Sequence, residues 1–178
     1  MNILICNVGS SDLDAGIPAM PAGSTRLSER ERAQQVLAAY VRYREQITLP
    51  LMSKALGYVQ QQPGELLLLV LVASNQADAE PPVGTAEHRH WSSDTCYTAQ
   101  VVQQRLTEQV VGQAWPPVPL ERVVIWEIRD ADGDGRNPTD YDGVRRFFER
   151  ELAELRARYP AATAFLEVTR GTKGADMR

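Results

Sequence analysis

Two short stretches at opposite ends of the chain carry residue types that can hold a phosphate. Near the C-terminus, the apolar run Phe165-Leu166-Glu167-Val168 gives way to Thr169-Arg170-Gly171-Thr172-Lys173-Gly174. Near the start, Asn2-Ile3-Leu4-Ile5-Cys6 runs into Asn7-Val8-Gly9-Ser10-Ser11-Asp12. Glycine removes the Cβ so that backbone can approach an anion, successive amides point at it, and a lysine adds a point charge. Two such loops, each following a predicted strand, suggest a nucleotide or phosphate site on one edge of an α/β sheet. Neither loop is a P-loop, because Gly171-Thr172-Lys173 lacks the spacer glycine and the hydroxyl residue after the lysine. No Gly-x-Gly-x-x-Gly follows the first strand, which argues against a dinucleotide-binding enzyme.

Other reactive residue types carry less. Asp130-Ala131-Asp132-Gly133-Asp134-Gly135 opens like a calcium loop, yet its twelfth position is Tyr141 instead of a bidentate glutamate. A strand is also predicted before it, so a solvated acidic turn is the better reading. His88 and His90 lack a third ligand at convincing spacing and are placed in a surface loop. Ser10 and Ser11 have no base beside them in sequence, so a hydrolase triad is unsupported.

The elements that would position these loops follow from periodicity. A first strand spans about 2–7 and leads into a long Gly/Pro/Ser/Asp-rich loop over 9–25. Ser28-Glu29-Arg30-Glu31 fits a capping box, and Ala33, Val36, Leu37, Tyr40 and Val41 predict one helix over 29–46. Pro50 starts a second helix that Pro63-Gly64 stops. Residues 66–73 are an unbroken apolar octet, suited to a central parallel strand covered on both faces. After a polar loop over 74–93, Ser93 or Asp94 can cap a helix carrying Ala99, Val102, Leu106 and Val110. A third strand at 122–128, a polar loop, an amphipathic helix through Val144, Phe147, Phe148, Leu152 and Leu155, and a fourth strand at about 164–169 complete the chain.

The order β-αα-β-α-β-α-β predicts an α/β, Rossmann-like, mostly parallel sheet with helices on both faces and right-handed crossovers. In such a sheet the loops 7–12, 74–76, 130–140 and 170–174 all leave on one edge. Asn137 and Tyr141 can reach that edge, and an aromatic there can stack on a base. With the fourth strand so close to Arg178, apolar sheet surface would stay bare, so the chain reads as part of a longer protein.

The chain has 178 residues, enough for one domain with a single core. A net charge of −4 and a pI near 5.3 argue against sequence-blind binding to long nucleic acid, which needs a basic face. Two cysteines, Cys6 and Cys96, give neither a metal spacing nor a disulfide framework. With no basic leader and no long apolar run, a cytoplasmic, soluble protein is expected.

Taken together, the motifs resemble those of CARF (CRISPR-associated Rossmann fold) sensor domains, which regulate ancillary effectors of type III CRISPR antiviral defence. The similarity is closest to the N-terminal sensors of the CRISPR-associated ribonucleases. The matching pieces are Asn7-Val8-Gly9-Ser10-Ser11-Asp12, the apolar octet leading to Ser74-Asn75-Gln76, Asp94-Thr95 with Ala99, Asn137-Pro138 through Tyr141, and Gly171-Thr172-Lys173. Where the family often has glycine before the Gly-Thr pair, this chain has Arg170.

The resemblance implies that residues 1–178 form an allosteric, nucleotide-binding sensor whose ligand is cyclic oligoadenylate, a ring of four or six AMP units. It implies a homodimer that binds the ring across its two-fold axis, an effector domain following in the full-length protein, and no metal or cofactor. Ligand-binding positions carried over are Gly9, Ser10, Ser11, Asp12, Ser74, Asn75, Gln76, Asn137, Tyr141, Arg170, Gly171, Thr172, Lys173 and Gly174. Some relatives cleave their ligand slowly without metal, by attack of a ribose 2′-hydroxyl on the neighbouring phosphate. Ser11 and Lys173 are the residues that could assist such ring-nuclease chemistry here. A sensor attached to a transcription regulator is a further alternative.

Overall fold

A computed structural model describes residues 1–9, 27–76, 79–110, 115–129 and 141–167. Four strands alternate with helices: β1 (Asn2–Asn7), α1 (Glu29–Ala38), α2 (Tyr40–Tyr43), α3 (Pro50–Gln60), β2 (Leu66–Ser74), α4 (Ala86–Ser92), α5 (Cys96–Thr107), β3 (Val123–Ile128), α6 (Tyr141–Arg158) and β4 (Thr163–Glu167). The sheet order is β3-β2-β1-β4, and all three pairings are parallel. The molecule is therefore an α/β, Rossmann-like fold with helices on both faces.

Alternation along each strand sorts side chains between the two faces. Leu4 and Cys6 of β1, Leu69, Leu71 and Ala73 of β2, Val123 and Ile125 of β3, and Phe165 of β4 point to one face. There they meet Ala33 and Val36 of α1, Met52, Leu56 and Val59 of α3, and Ala99, Val102 and Leu106 of α5. Ile3, Ile5, Leu68, Val70, Val72, Val124, Trp126 and Ile128 take the opposite face, against Phe148 and Leu155 of α6. Residues 68–73 of the octet are buried because they form the body of β2, an interior strand with helices above and below.

The capping box is formed as the sequence suggests. Ser28 Oγ accepts from the Glu31 amide at 3.2 Å, and Glu31 Oε2 accepts from the Ser28 amide at 2.8 Å. The Ser28 amide and the Ser28 hydroxyl, which also donates to Glu31 Oε2 at 2.8 Å, hold the Glu31 carboxyl below its usual range, the backbone bond contributing most. Ser28→Ala is expected to lower stability by about 1 kcal/mol, read from chemical denaturation. An unchanged midpoint would mean that the cap is made by other groups.

Three details differ from expectation. The helix predicted over 29–46 breaks at Ala39 (φ −116°, ψ 30°), which separates α1 from α2. No proline or glycine marks the break. Residues 86–92 form α4, capped by the Thr85 side chain on the His88 amide at 3.1 Å, so His88 and His90 lie on a helix and not in a loop. Asp94 does not cap α5, whose N-cap is Thr95, without a side-chain cap bond. Among the described residues no helix is long and apolar enough to cross a membrane.

Candidate functional site

Because every strand runs the same way, Asn7, Ser74, Ile128 and Glu167 all end at one edge of the sheet. The chain moves from β1 outward through β2 to β3, then returns to place β4 on the other side of β1. The direction of winding thus reverses between β1 and β4, the position at which open α/β sheets generally bind their ligands. Register pairs Cys6 with Glu167 at that point. The two glycine-bearing segments that stand out in the sequence leave from these two neighbouring strands.

Helix starts converge on the same edge: α5 and α6 each carry the chain back toward the beginning of the next strand, and the Arg30–Asp94 pair sets the first turn of α1 beside the start of α5. α1, α5 and α6 therefore direct their N-terminal ends, the positive end of each helix dipole, toward it. Tyr141 is the first residue of α6 and is 86% exposed, so its ring is accessible there.

The loop after β2 is held firmly. Ser74 donates its amide to Thr95 Oγ1 at 3.0 Å, while the Thr95 amide donates to Ser74 Oγ at 3.3 Å. Asn75 donates its amide to the Ile128 carbonyl at 3.2 Å and its side-chain amide to Glu127 Oε2 at 2.9 Å. Glu127 also pairs with Arg129 at 2.7 Å. Gln76 donates its amide to Asp94 Oδ2 at 2.7 Å. The side chain of Asn75 thus ties β2 to β3.

Beneath this loop lies a buried ionic cluster that sequence reading missed. Arg30, in the first turn of α1, places Nη1 2.6 Å from Asp94 Oδ2, and both side chains are almost fully buried. The guanidinium is stacked between Trp91 and Tyr97, 4.9 and 5.0 Å from their ring centroids. Arg30 Nε, Asp94 Oδ1 and Trp91 Nε1 have no hydrogen-bond partner among the described residues. Burial raises the Asp94 carboxyl above its ordinary value, opposed by the Gln76 amide, the Ser74 hydroxyl and Arg30. Cys96, 3.9 Å from Arg30 Nη1, is pushed up to about 11 by burial despite that nearby cation. Its thiol stays protonated at neutral pH and is no nucleophile.

Of the proposed ligand positions, Gly9, Ser74, Asn75, Gln76 and Tyr141 are described, and all five are at or next to the sheet's C-terminal edge. Ser10, Ser11, Asp12, Asn137, Arg170, Gly171, Thr172, Lys173 and Gly174 lie outside the described residues, as does the acidic loop over 130–140. His88 Nε2 lies 3.3 Å from Glu80 and its ring sits against Trp91. Among the described residues no group of three or more His, Cys, Asp or Glu could hold a metal ion. No family model, curated protein or solved structure matches the chain.

Proposed function

We propose that this chain is a regulatory domain that binds a cyclic oligoadenylate at the C-terminal edge of its sheet and passes the signal to an effector in type III CRISPR defence. The observation that carries the reading is the reversal of strand order between β1 and β4, the two strands that lead into the glycine-bearing segments. Three helix N-termini directed at the edge add favourable potential for an anion without a basic surface, consistent with the net charge of −4. An exposed aromatic ring at Tyr141 is available for stacking on adenine. A two-fold dimer matches a ligand with repeating phosphates, because each subunit would meet the ring with the same loops.

Thermal unfolding tests the reading. Cyclic tetra- or hexa-adenylate at a hundredfold excess over a micromolar dissociation constant adds about 2.7 kcal/mol of stability. For a domain of this size that corresponds to a rise of about 5–10 °C. Lys173→Ala is expected to remove most of the rise. A folded preparation whose midpoint neither ring moves would refute the assignment.

A further inference from the structure

At the opposite edge of the sheet, a cavity of about 240 Å³ lies between the C-terminal half of α6 and the first residues of β2 and β3. Its floor is apolar, made of Leu68, Val124, Trp126 and Leu155. The Trp126 ring is braced edge-on by Phe147, with centroids 6.3 Å apart and planes at 83°. The rim carries three carboxylates and one cation. Glu151 is engaged by Arg150 at 2.8 Å, and Arg158 lies over the Tyr159 ring at 5.4 Å from its centroid. The Glu121 and Glu154 carboxylates make no hydrogen bond or ion pair among the described residues.

We infer that this cavity is a binding site for a flexible aliphatic cation, an alkylguanidinium or alkylammonium group. The volume is below the roughly 300 Å³ at which pockets for drug-sized ligands begin, which suits a single extended chain better than a nucleotide. Methylenes would cover Leu68, Val124 and Leu155, as the stems of long basic side chains cover apolar surface elsewhere. The charged head would then meet Glu121 and Glu154 beside an indole, the aromatic ring that attracts cations most strongly. An anion is disfavoured by the excess of carboxylates, and a neutral chain would leave those carboxylates unanswered. The site lies at the edge remote from the phosphate reading and does not depend on it.

The test titrates the full chain with agmatine and, separately, with Nα-acetylarginine amide, following the heat of binding and the indole N–H resonance of Trp126. Saturable binding of both shows that an alkylguanidinium suffices, and binding of agmatine alone identifies a free amine as the ligand. Binding of the blocked arginine alone identifies a partner's side chain. Exposed carboxylate–cation pairs each contribute about 0.2–1 kcal/mol, so the double variant Glu121→Gln, Glu154→Gln should weaken binding by roughly two- to thirtyfold. Glu87→Gln, on exposed α4, should leave it unchanged. The inference is overturned if neither compound saturates below about 10 mM, if the double variant binds as tightly as the parent, or if the neutral analogue Nα-acetylnorleucine amide binds equally well.

Discussion

Replacing Arg30 with methionine lowers the free energy of unfolding by about 3–5 kcal/mol, the expected result of stranding a charge in a buried pair. The guanidinium donates to Asp94 at 2.6 Å and fills the space between Trp91 and Tyr97, so its removal loses a charge-assisted hydrogen bond and two cation–π contacts. Methionine keeps much of the side-chain volume, which leaves the Asp94 carboxylate as the main source of the loss. A second substitution, Asp94→Asn, should therefore recover a large part of it. Asparagine removes the unpaired charge and still accepts from the Gln76 amide, the bond now made at 2.7 Å.

The pH dependence has a definite sign. Burial already holds the Asp94 carboxyl above its ordinary value, and without Arg30 one of the opposing influences is gone. A carboxyl whose pKa is raised by folding supports the fold most below its unfolded pKa and loses that support as pH rises through the folded one. The deficit of Arg30→Met should accordingly shrink as the buffer is acidified. Denaturation of the single and double variants at several pH values reads all of this. A loss under about 1 kcal/mol would mean that the pair behaves like a solvated one.

Leu71→Ala is expected to cost about 2–5 kcal/mol, the range for removing an aliphatic side chain from a well-packed interior. Leu71 is completely buried in the middle of β2, paired with Cys6 of β1 and Ile125 of β3, and belongs to the larger of the two apolar clusters. Strands on both sides and helices above restrict collapse around the vacated space, which places the effect in the upper half of that range. Leu166→Ala, on an edge strand and 62% exposed, should change stability by a few tenths of a kcal/mol at most. Denaturant midpoints distinguish the two, and equal losses would contradict the assignment of the core to β1–β3.

Much of this architecture was legible in the amino-acid sequence for local reasons. The apolar octet announced an interior strand, and Ser28 with Glu31 announced a helix start through contacts only three residues apart. The alternation of strands with amphipathic helices carried the parallel sheet. What escaped depends on distant contacts. Asp94 looks like a helix cap from its neighbours, yet its principal partner is Arg30, which lies 64 positions away. The break at Ala39 has no local breaker residue, and α4 is too short to show a clear apolar stripe.

The site was legible in part for the same reason. Glycine, hydroxyl and lysine residues marked the segments after β1 and β4 without long-range information. That those two strands are neighbours, with β2 on the far side of β1, follows only from the docking of β4 in the folded sheet. Asn75 illustrates the limit from the other direction. The family resemblance carried it over as a ligand position, and its side chain also joins β2 to β3 through Glu127, a contact 52 positions away that its neighbours do not announce.

The most direct test of the central claim is a backbone amide resonance map of the isotopically labelled chain titrated with cyclic tetra-adenylate. The expected result is a compact set of shifted amides at Gly9, Ser74, Asn75, Gln76 and Tyr141, together with those of residues 10–12 and 170–174. Shifts confined to α3 or the C-terminal half of α6, or none at saturating ring, would contradict a ligand seated at the C-terminal edge.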